Sequence, residues 1–241
     1  MIEIKNLSCT FDEKTILENI NLNISHHLSI LGANGSGKST LAKAICGLIK
    51  TDGEVHIHKQ EIQTFERKQR AKTISYIPAK LEVYEQNITV EEFVLLGRFP
   101  HKTAFFDYSA KDKKIAEQTL EFLKISHLAK HTLLSLSSGE QQLSLIAQAL
   151  SGQSKIIIFD EPTANLDPHN SKIIAEHIKG LKEFHQVILI THDLHLAAYV
   201  NSPVAFIKDK HAHYYEEGFF DDVTLSKLYD VDFDALAVKY D

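Results

Sequence analysis

Nine consecutive residues, Gly32-Ala33-Asn34-Gly35-Ser36-Gly37-Lys38-Ser39-Thr40, carry the densest chemistry in the chain. Closely spaced glycines let a backbone curl until successive N–H groups point at one centre, which suits an anion. The residues that follow extend that chemistry: Lys38 can neutralise terminal phosphate oxygens and the Ser39 hydroxyl can hold Mg²⁺. The pattern is that of a loop that cradles nucleotide phosphates when a buried strand precedes it and a helix follows. Both conditions are met. Leu28-Ser29-Ile30-Leu31 is short and apolar, and Leu41, Ala42, Ala44, Ile45 and Leu48 recur at helical spacing.

Two carboxylates, Asp160 and Glu161, end the apolar run Ile156–Phe159. In a doubly wound sheet the end of such a strand lies beside the phosphate loop. There, Asp160 is placed to complete a Mg²⁺ shell, and Glu161 to polarise an attacking water as general base. Alone, an acidic pair at a strand end is an ordinary surface feature; downstream of a phosphate loop it reads as a metal and water site. His192 follows a second apolar run, Val187–Ile190, and a lone imidazole there is commonly a solvated surface group. Phe11 is either a core residue or a platform on which a base could stack. Ser137-Ser138-Gly139-Glu140 reads locally as a helix start.

These residues need a scaffold, and its period is legible. Ile2, Ile4 and Leu7, then Ile20, Leu22 and Ile24, alternate as half-buried strands do. From about residue 89 to 150 the pattern is mostly helical, over 90–96, 110–123 and 138–150, which marks an inserted lobe. The runs at 156–159 and 187–190 are continuous and β-branched, as central parallel strands are, with a helix expected between them over about 171–184. The tail from Phe206 carries short strand-like pieces and a last helix near Leu225–Leu228.

Composition excludes several functions. Acidic residues outnumber basic ones, 32 to 26, for a formal charge of -6, and no long basic run occurs, so nucleic acid is not an expected partner. No apolar stretch approaches the roughly 20 residues that span a bilayer. Met1-Ile2-Glu3-Ile4-Lys5 lacks the features of a secretory leader, so a cytoplasmic location is expected. Cys9 and Cys46 have no metal-like or redox-like spacing. His56 with His58, and His211 with His213, each share a strand face, but two ligands without a third make a solvated face the better reading.

Leu136-Ser137-Ser138-Gly139-Glu140, lying between the two chemical motifs, resembles the signature of the ATP-binding cassette family, usually written LSGGQ or LSGGE. The resemblance extends over nearly the whole chain. It implies an α/β fold: a P-loop NTPase (RecA-like) core, an N-terminal antiparallel β-subdomain and an inserted α-helical subdomain. One domain over 1–241 would comprise core and β-subdomain (about 1–78 and 151–241) and helical signature subdomain (about 79–150). The resemblance further implies ATP and Mg²⁺ as ligands, Phe11 as the adenine platform, and Ser137, Ser138, Gly139 and Glu140 as a second cradle for ATP held by another copy. Asp167, in Ala164-Asn165-Leu166-Asp167, matches the loop that communicates across that dimer, and His192 the switch histidine at the γ-phosphate. Partners implied are a second copy, a transmembrane permease and, indirectly, an extracytoplasmic substrate-binding protein, with the chain peripheral on the cytoplasmic face of the cell membrane.

Leu95-Leu96-Gly97-Arg98-Phe99-Pro100-His101, Thr191-His192-Asp193-Leu194-His195-Leu196-Ala197-Ala198, and in the tail Gly218 through Leu225, Leu228-Tyr229 and Val231 are similar to the importer branch that handles ferric siderophores, haem and cobalamin. One position departs from the family. A glutamine usually follows the Ile-Pro step, reaching the metal and the attacking water, and here Ile77-Pro78 precedes Ala79. A methyl group can do neither, so either the contact is missing or water or a neighbour such as Gln86 replaces it. A soluble or regulatory cassette with slow hydrolysis is the alternative this raises.

Overall fold

The computed structural model describes residues 1–81, 85, 87–102 and 107–230; Gln86 and Val231 lie outside the described residues. Strands β1 (Ile2–Phe11) and β2 (Lys14–Ile24) form a hairpin. Its two-residue turn, Asp12-Glu13, has both φ angles positive, at 43° and 69°, the geometry that matches strand twist. Alternate residues Ile2, Ile4, Leu7 and Cys9 are buried, as the period-2 pattern requires. β4 (Asp52–Ile57) pairs with the other edge of β1 and β5 (Gln60–Glu61) follows, so this antiparallel sheet runs β2-β1-β4-β5.

A second sheet holds β3 (Leu28–Gly32), β6 (Ile74–Ile77), β7 (Ile156–Asp160), β8 (Gln186–Ile190), β9 (Val204–Lys208) and β10 (His211–Tyr215), in the order β10-β9-β3-β8-β7-β6. All its pairs are parallel except the β9–β10 hairpin. Ile156 and Ile158 of β7 join the core beneath the antiparallel sheet, whereas Ile157 and Phe159 join the core beneath the helices. Ile188 and Ile190 of β8 divide from Val187 and Leu189 in the same way. Two covered faces explain why these strands are continuously apolar instead of alternating.

Helix α1 (Lys38–Ile45) follows the glycine loop and α2 (Arg67–Thr73) precedes β6. The helical region contains α3 (Val90–Leu96), α4 (Ala110–Phe122) and α5 (Ser138–Ser151). Each opens with a reciprocal capping box: Thr89 with Glu92, Ser109 with Asp112, and Ser137 with Glu140. α6 (Pro168–Leu181), α7 (Leu194–Val200) and α8 (Asp222–Tyr229) are the last α-helices among the described residues. α6 starts and stops three residues earlier than the apolar period suggests. Asp167 caps it and Pro168 occupies the first turn, where a missing N–H costs nothing. Among the described residues, no helix is long and apolar enough to cross a membrane.

Parallel pairing has one consequence for chemistry. β3, β6, β7 and β8 all present their C-terminal ends along one edge of the sheet, bringing the loops after Gly32, Ile77, Asp160 and Ile190 together.

Candidate functional site

The glycine loop is built by steric exclusion. A side chain at Gly32 (φ 149°) would sit 2.6 Å from the Ile207 carbonyl oxygen, and one at Gly37 (φ 103°) 2.9 Å from Leu17. Ala33, Asn34 and Gly35 are exposed, so the loop's outer rim faces solvent. Ser36 turns its hydroxyl inward, and Ser39 and Thr40 are half-buried at the start of α1. Lys38 is almost wholly enclosed. Its Nζ donates to the carbonyls of Gly32 at 2.9 Å and Ala33 at 3.0 Å, and lies 3.7 Å from Glu161 Oε1. Burial pulls its pKa down, while the charges of Glu161 and Asp160 pull it back up.

Asp160, at the end of β7, is 3% exposed, and both of its oxygens accept hydroxyl hydrogens. Ser39 Oγ donates to Oδ1 at 2.9 Å, and the Tyr76 hydroxyl donates to Oδ2 at 2.5 Å. Burial pushes the Tyr76 phenol up, and its bond to Asp160 pushes the same way. The oxygens of Ser39 and Asp160 are hard donors that suit a small divalent cation. Among the described residues no group of three or more His, Cys, Asp or Glu could hold a metal, so a cation here would take its remaining ligands from phosphate and water.

Glu161 has a positive φ of 49°, unusual for a side chain of its length. Its N–H continues the ladder to the Ile190 carbonyl at 2.8 Å. Its Oε2 accepts from His192 Nδ1 at 2.9 Å, and from Thr191 Oγ1 and the His192 N–H at 3.3 Å each. A carboxylate with one oxygen toward Lys38 and the other held by the residues that follow β8 is fixed in orientation, as a general base needs to be.

The remaining predicted residues lie elsewhere. Phe11 ends β1 with 46% of its surface exposed, so it is no core residue. Ser137 donates from both N–H and hydroxyl to Glu140 Oε2, at 2.8 and 2.7 Å. Those bonds hold the Glu140 carboxyl below its ordinary range. Gln141 Nε2 donates to the carbonyls of Leu133 and Leu136, both at 3.2 Å, bracing the turn ahead of the loop. Ser138 is exposed, and a side chain at Gly139 would meet Asn170 at 2.6 Å, so this loop packs on the start of α6. Asp167 accepts from Asn170 N at 3.0 Å and Asn170 Nδ2 at 2.6 Å, and the former bond leads in lowering its pKa. No hydrogen bond or ion pair among the described residues joins 137–140 to 32–40 or 160–161.

Sequence reasoning missed Tyr76 and Thr191 as site residues. Thr191 is adjacent to His192 and could have been found from it, but Tyr76 is 84 positions from its partner. The other candidate clusters take structural partners. His56 pairs with Glu54 at 3.7 Å, and His211 Nδ1 meets the Glu18 carbonyl at 2.9 Å. Cys9 and Cys46 are buried, their thiols pushed up to about 11 and about 12, mainly by burial. Behind Tyr76 lies a groove of about 290 Å³ lined by Tyr76, Leu96, Phe99, Pro100, Gln148 and Gly152, among others.

Comparison with known proteins supplies a context for this geometry. The family model described as ABC transporter matches residues 17–164, more than half of the chain. A Helicobacter pylori protein named "Probable iron chelatin transport ATP-binding protein" is 34% identical over 216 residues, 87% of this chain and 84% of that one. The petrobactin import ATP-binding protein FpuD of Bacillus anthracis is 31% identical over 232 residues, covering 94% and 84%. Among solved structures, the dimer of the ATP-binding cassette MJ0796 in a post-hydrolysis state, bound to ADP and Pi, superposes with a TM-score of 0.78. It is 29% identical and covers 91% of this chain and 100% of that one.

Proposed function

Because the chain belongs to the ABC transporter family and is an ATPase, we propose that it is the motor subunit of an importer of iron chelates. It works as a homodimer docked peripherally on a transmembrane permease at the cytoplasmic face of the cell membrane, with an extracytoplasmic binding protein delivering cargo. The branch-like stretches at 95–101 and 191–198, and the names of the two relatives, support that cargo class.

In this reading the residues take the following roles. The N–H groups of residues 33–40 and the start of α1 bind the phosphates. Lys38 exchanges its loop carbonyls for phosphate oxygens. Phe11, exposed at the end of β1, stacks on adenine. Ser39 and Asp160 hold Mg²⁺, which when bound neutralises charge on the β- and γ-phosphates. Glu161 accepts a proton from the attacking water. His192 orients Glu161 through Nδ1, and its Nε2, which makes no hydrogen bond among the described residues, serves the γ-phosphate. Ser137, Ser138 and Gly139 receive the nucleotide of the opposite copy, with Glu140 capping their helix and Asp167 fixing the start of α6 against them.

One observation carries the proposal: Lys38, Glu161 and His192 form one ion-paired and hydrogen-bonded chain, and Ser39 with Asp160, the residue before Glu161, forms a second, while the signature loop is braced separately on α6. A lone copy therefore presents half a site. Glu161→Gln removes the base and retains the shape. It should bind ATP normally, lose at least about 100-fold in turnover, and accumulate as dimer in light scattering; turnover at the wild-type rate would remove Glu161 from this role. A second reading, slow hydrolysis without coupling to transport, is favoured by Ala79 alone, and steady-state ATPase assays with and without the membrane partner separate the two.

A further inference from the structure

Tyr76 touches both the chemistry and the groove. It stands on β6, which among the described residues pairs with β7 alone and is the edge strand of its sheet. The register sets Tyr76 opposite Ile158, two residues before Asp160, and the long phenol spans that offset. The 2.5 Å bond to Asp160 Oδ2 is in the range of a charge-assisted hydroxyl–carboxylate bond. On its other side the residue lines the groove with Leu96, Phe99 and Pro100. Phe99 is 63% exposed and Leu96 44%, so the groove opens to solvent through large apolar side chains.

The two hydroxyls on Asp160 belong to different parts of the fold. Ser39 belongs to the glycine loop's helix, whereas Tyr76 belongs to the sheet edge. The carboxylate is 3% exposed, so water cannot readily replace either donor. With Oδ2 held by Tyr76, Oδ1 is the oxygen presented to Ser39 and to whatever Ser39 binds. A displacement of β6 caused by filling the groove must therefore turn or release that carboxylate, and a cation drawn to Asp160 must pull on β6. Ala79, three residues further along, has no polar side-chain atom with which to make such a link.

We infer that Tyr76 is a positioning residue that couples the Asp160 carboxylate to the groove between β6 and the turn at Phe99, through one phenolic hydrogen bond. This rests on the reading of Asp160 as the metal-side carboxylate.

The test needs no permease. Phe99→Cys places a thiol at the exposed rim of the groove, and the native thiols are buried, so a fluorophore will report that site. With Mn²⁺ as the metal probe, Mn-ATP should shift the label's emission, and ATP in EDTA should not. Adding Tyr76→Phe, which keeps the ring and removes the hydroxyl, should abolish most of that shift. It should weaken Mn²⁺ binding in the presence of ATP by about tenfold, the size expected for one hydrogen bond to a charged group, and leave ATP binding in EDTA within about twofold of the parent. A label response or a Mn²⁺ affinity unchanged by Tyr76→Phe overturns the inference, because it requires both to fall. If Tyr76→Phe does not fold, 3-fluorotyrosine at position 76 keeps the hydroxyl. Its ¹⁹F resonance should move with Mg-ATP and not with ATP in EDTA, and an unmoved resonance is equally decisive against the coupling. Failure of the Tyr76-containing protein to bind ATP at all would instead refute the nucleotide site itself.

Discussion

Lys38 and Glu161 share a charge problem that the fold solves locally. Lys38 Nζ is turned back onto two carbonyls of its own loop, 3.7 Å from the Glu161 carboxylate, with both side chains largely buried. A triphosphate would offer the ammonium stronger acceptors, so binding would exchange neutral acceptors for anionic ones. Lys38→Ala should therefore abolish binding of a fluorescent ATP analogue at micromolar nucleotide, and undiminished binding would contradict the phosphate assignment. The glycine loop was legible in sequence because its chemistry is local: each glycine, the lysine and the hydroxyls are neighbours in the chain. Asp160 and Glu161 were legible as a pair at a strand end for the same reason. Tyr76 was not, since its partner is met only across the β6–β7 register, and the environment of Glu161 was half legible, because His192 announced itself and Thr191 did not.

Elements position these residues through a few tight contacts, and the helical region shows how. Gly97 ends α3 where a Cβ would lie 2.0 Å from the Gln148 carbonyl oxygen and 2.1 Å from Ser151 Oγ, so α3 and α5 approach backbone to backbone. The next residue, Arg98, is 4% exposed and fastens three helices: Nε donates to Asp112 at 2.9 Å, and Nη1 donates to the Ser151 carbonyl at 2.7 Å and to Gln153 at 2.9 Å. The Gly97-Arg98 step, notable in sequence only as a family resemblance, thus has a mechanical reason. Asp112→Asn leaves the guanidinium without its anion and should destabilise by about 3 kcal/mol in urea unfolding. Its pH dependence follows from direction. The Ser109 hydroxyl, and after it Arg98, hold the Asp112 carboxyl below its unfolded value. Its contribution is therefore complete above the ordinary carboxylate range and is lost as pH falls through the depressed folded value. Wild type and Asp112→Asn should then converge in stability on acidification; a constant gap across that window would show that the charge is not what matters. The limits of α6 were misread from its apolar period because capping by Asp167 and Pro168, not hydrophobic spacing, decides where that helix begins.

At the scale of the whole molecule the question is whether one chain can close its own site. The parallel sheet gathers the ends of β3, β7 and β8 at one edge, but Ser137 and Gly139 belong to a helix whose start rests on Asn170, and their hydrogen bonds run to Glu140 and within their own turn. Two copies meeting head to tail give two composite sites, each with one copy's Lys38 and the other's Ser137, a closed two-fold arrangement. That geometry predicts complementation. In a Glu161→Gln background, where nucleotide should remain trapped, Lys38→Ala removes a copy's loop function, and Ser137→Arg fills its signature cradle at an exposed position. Either variant alone leaves every composite site defective. In a mixed dimer both lesions fall in the same site and the other site is intact, so an equimolar mixture should retain about a quarter of the nucleotide trapped by the unmutated background. Nucleotide retained after gel filtration measures this directly. If the mixture trapped no more than its parents, each cassette would have to complete its site within itself, and the separation of Ser137 from Lys38 in this fold would need another explanation.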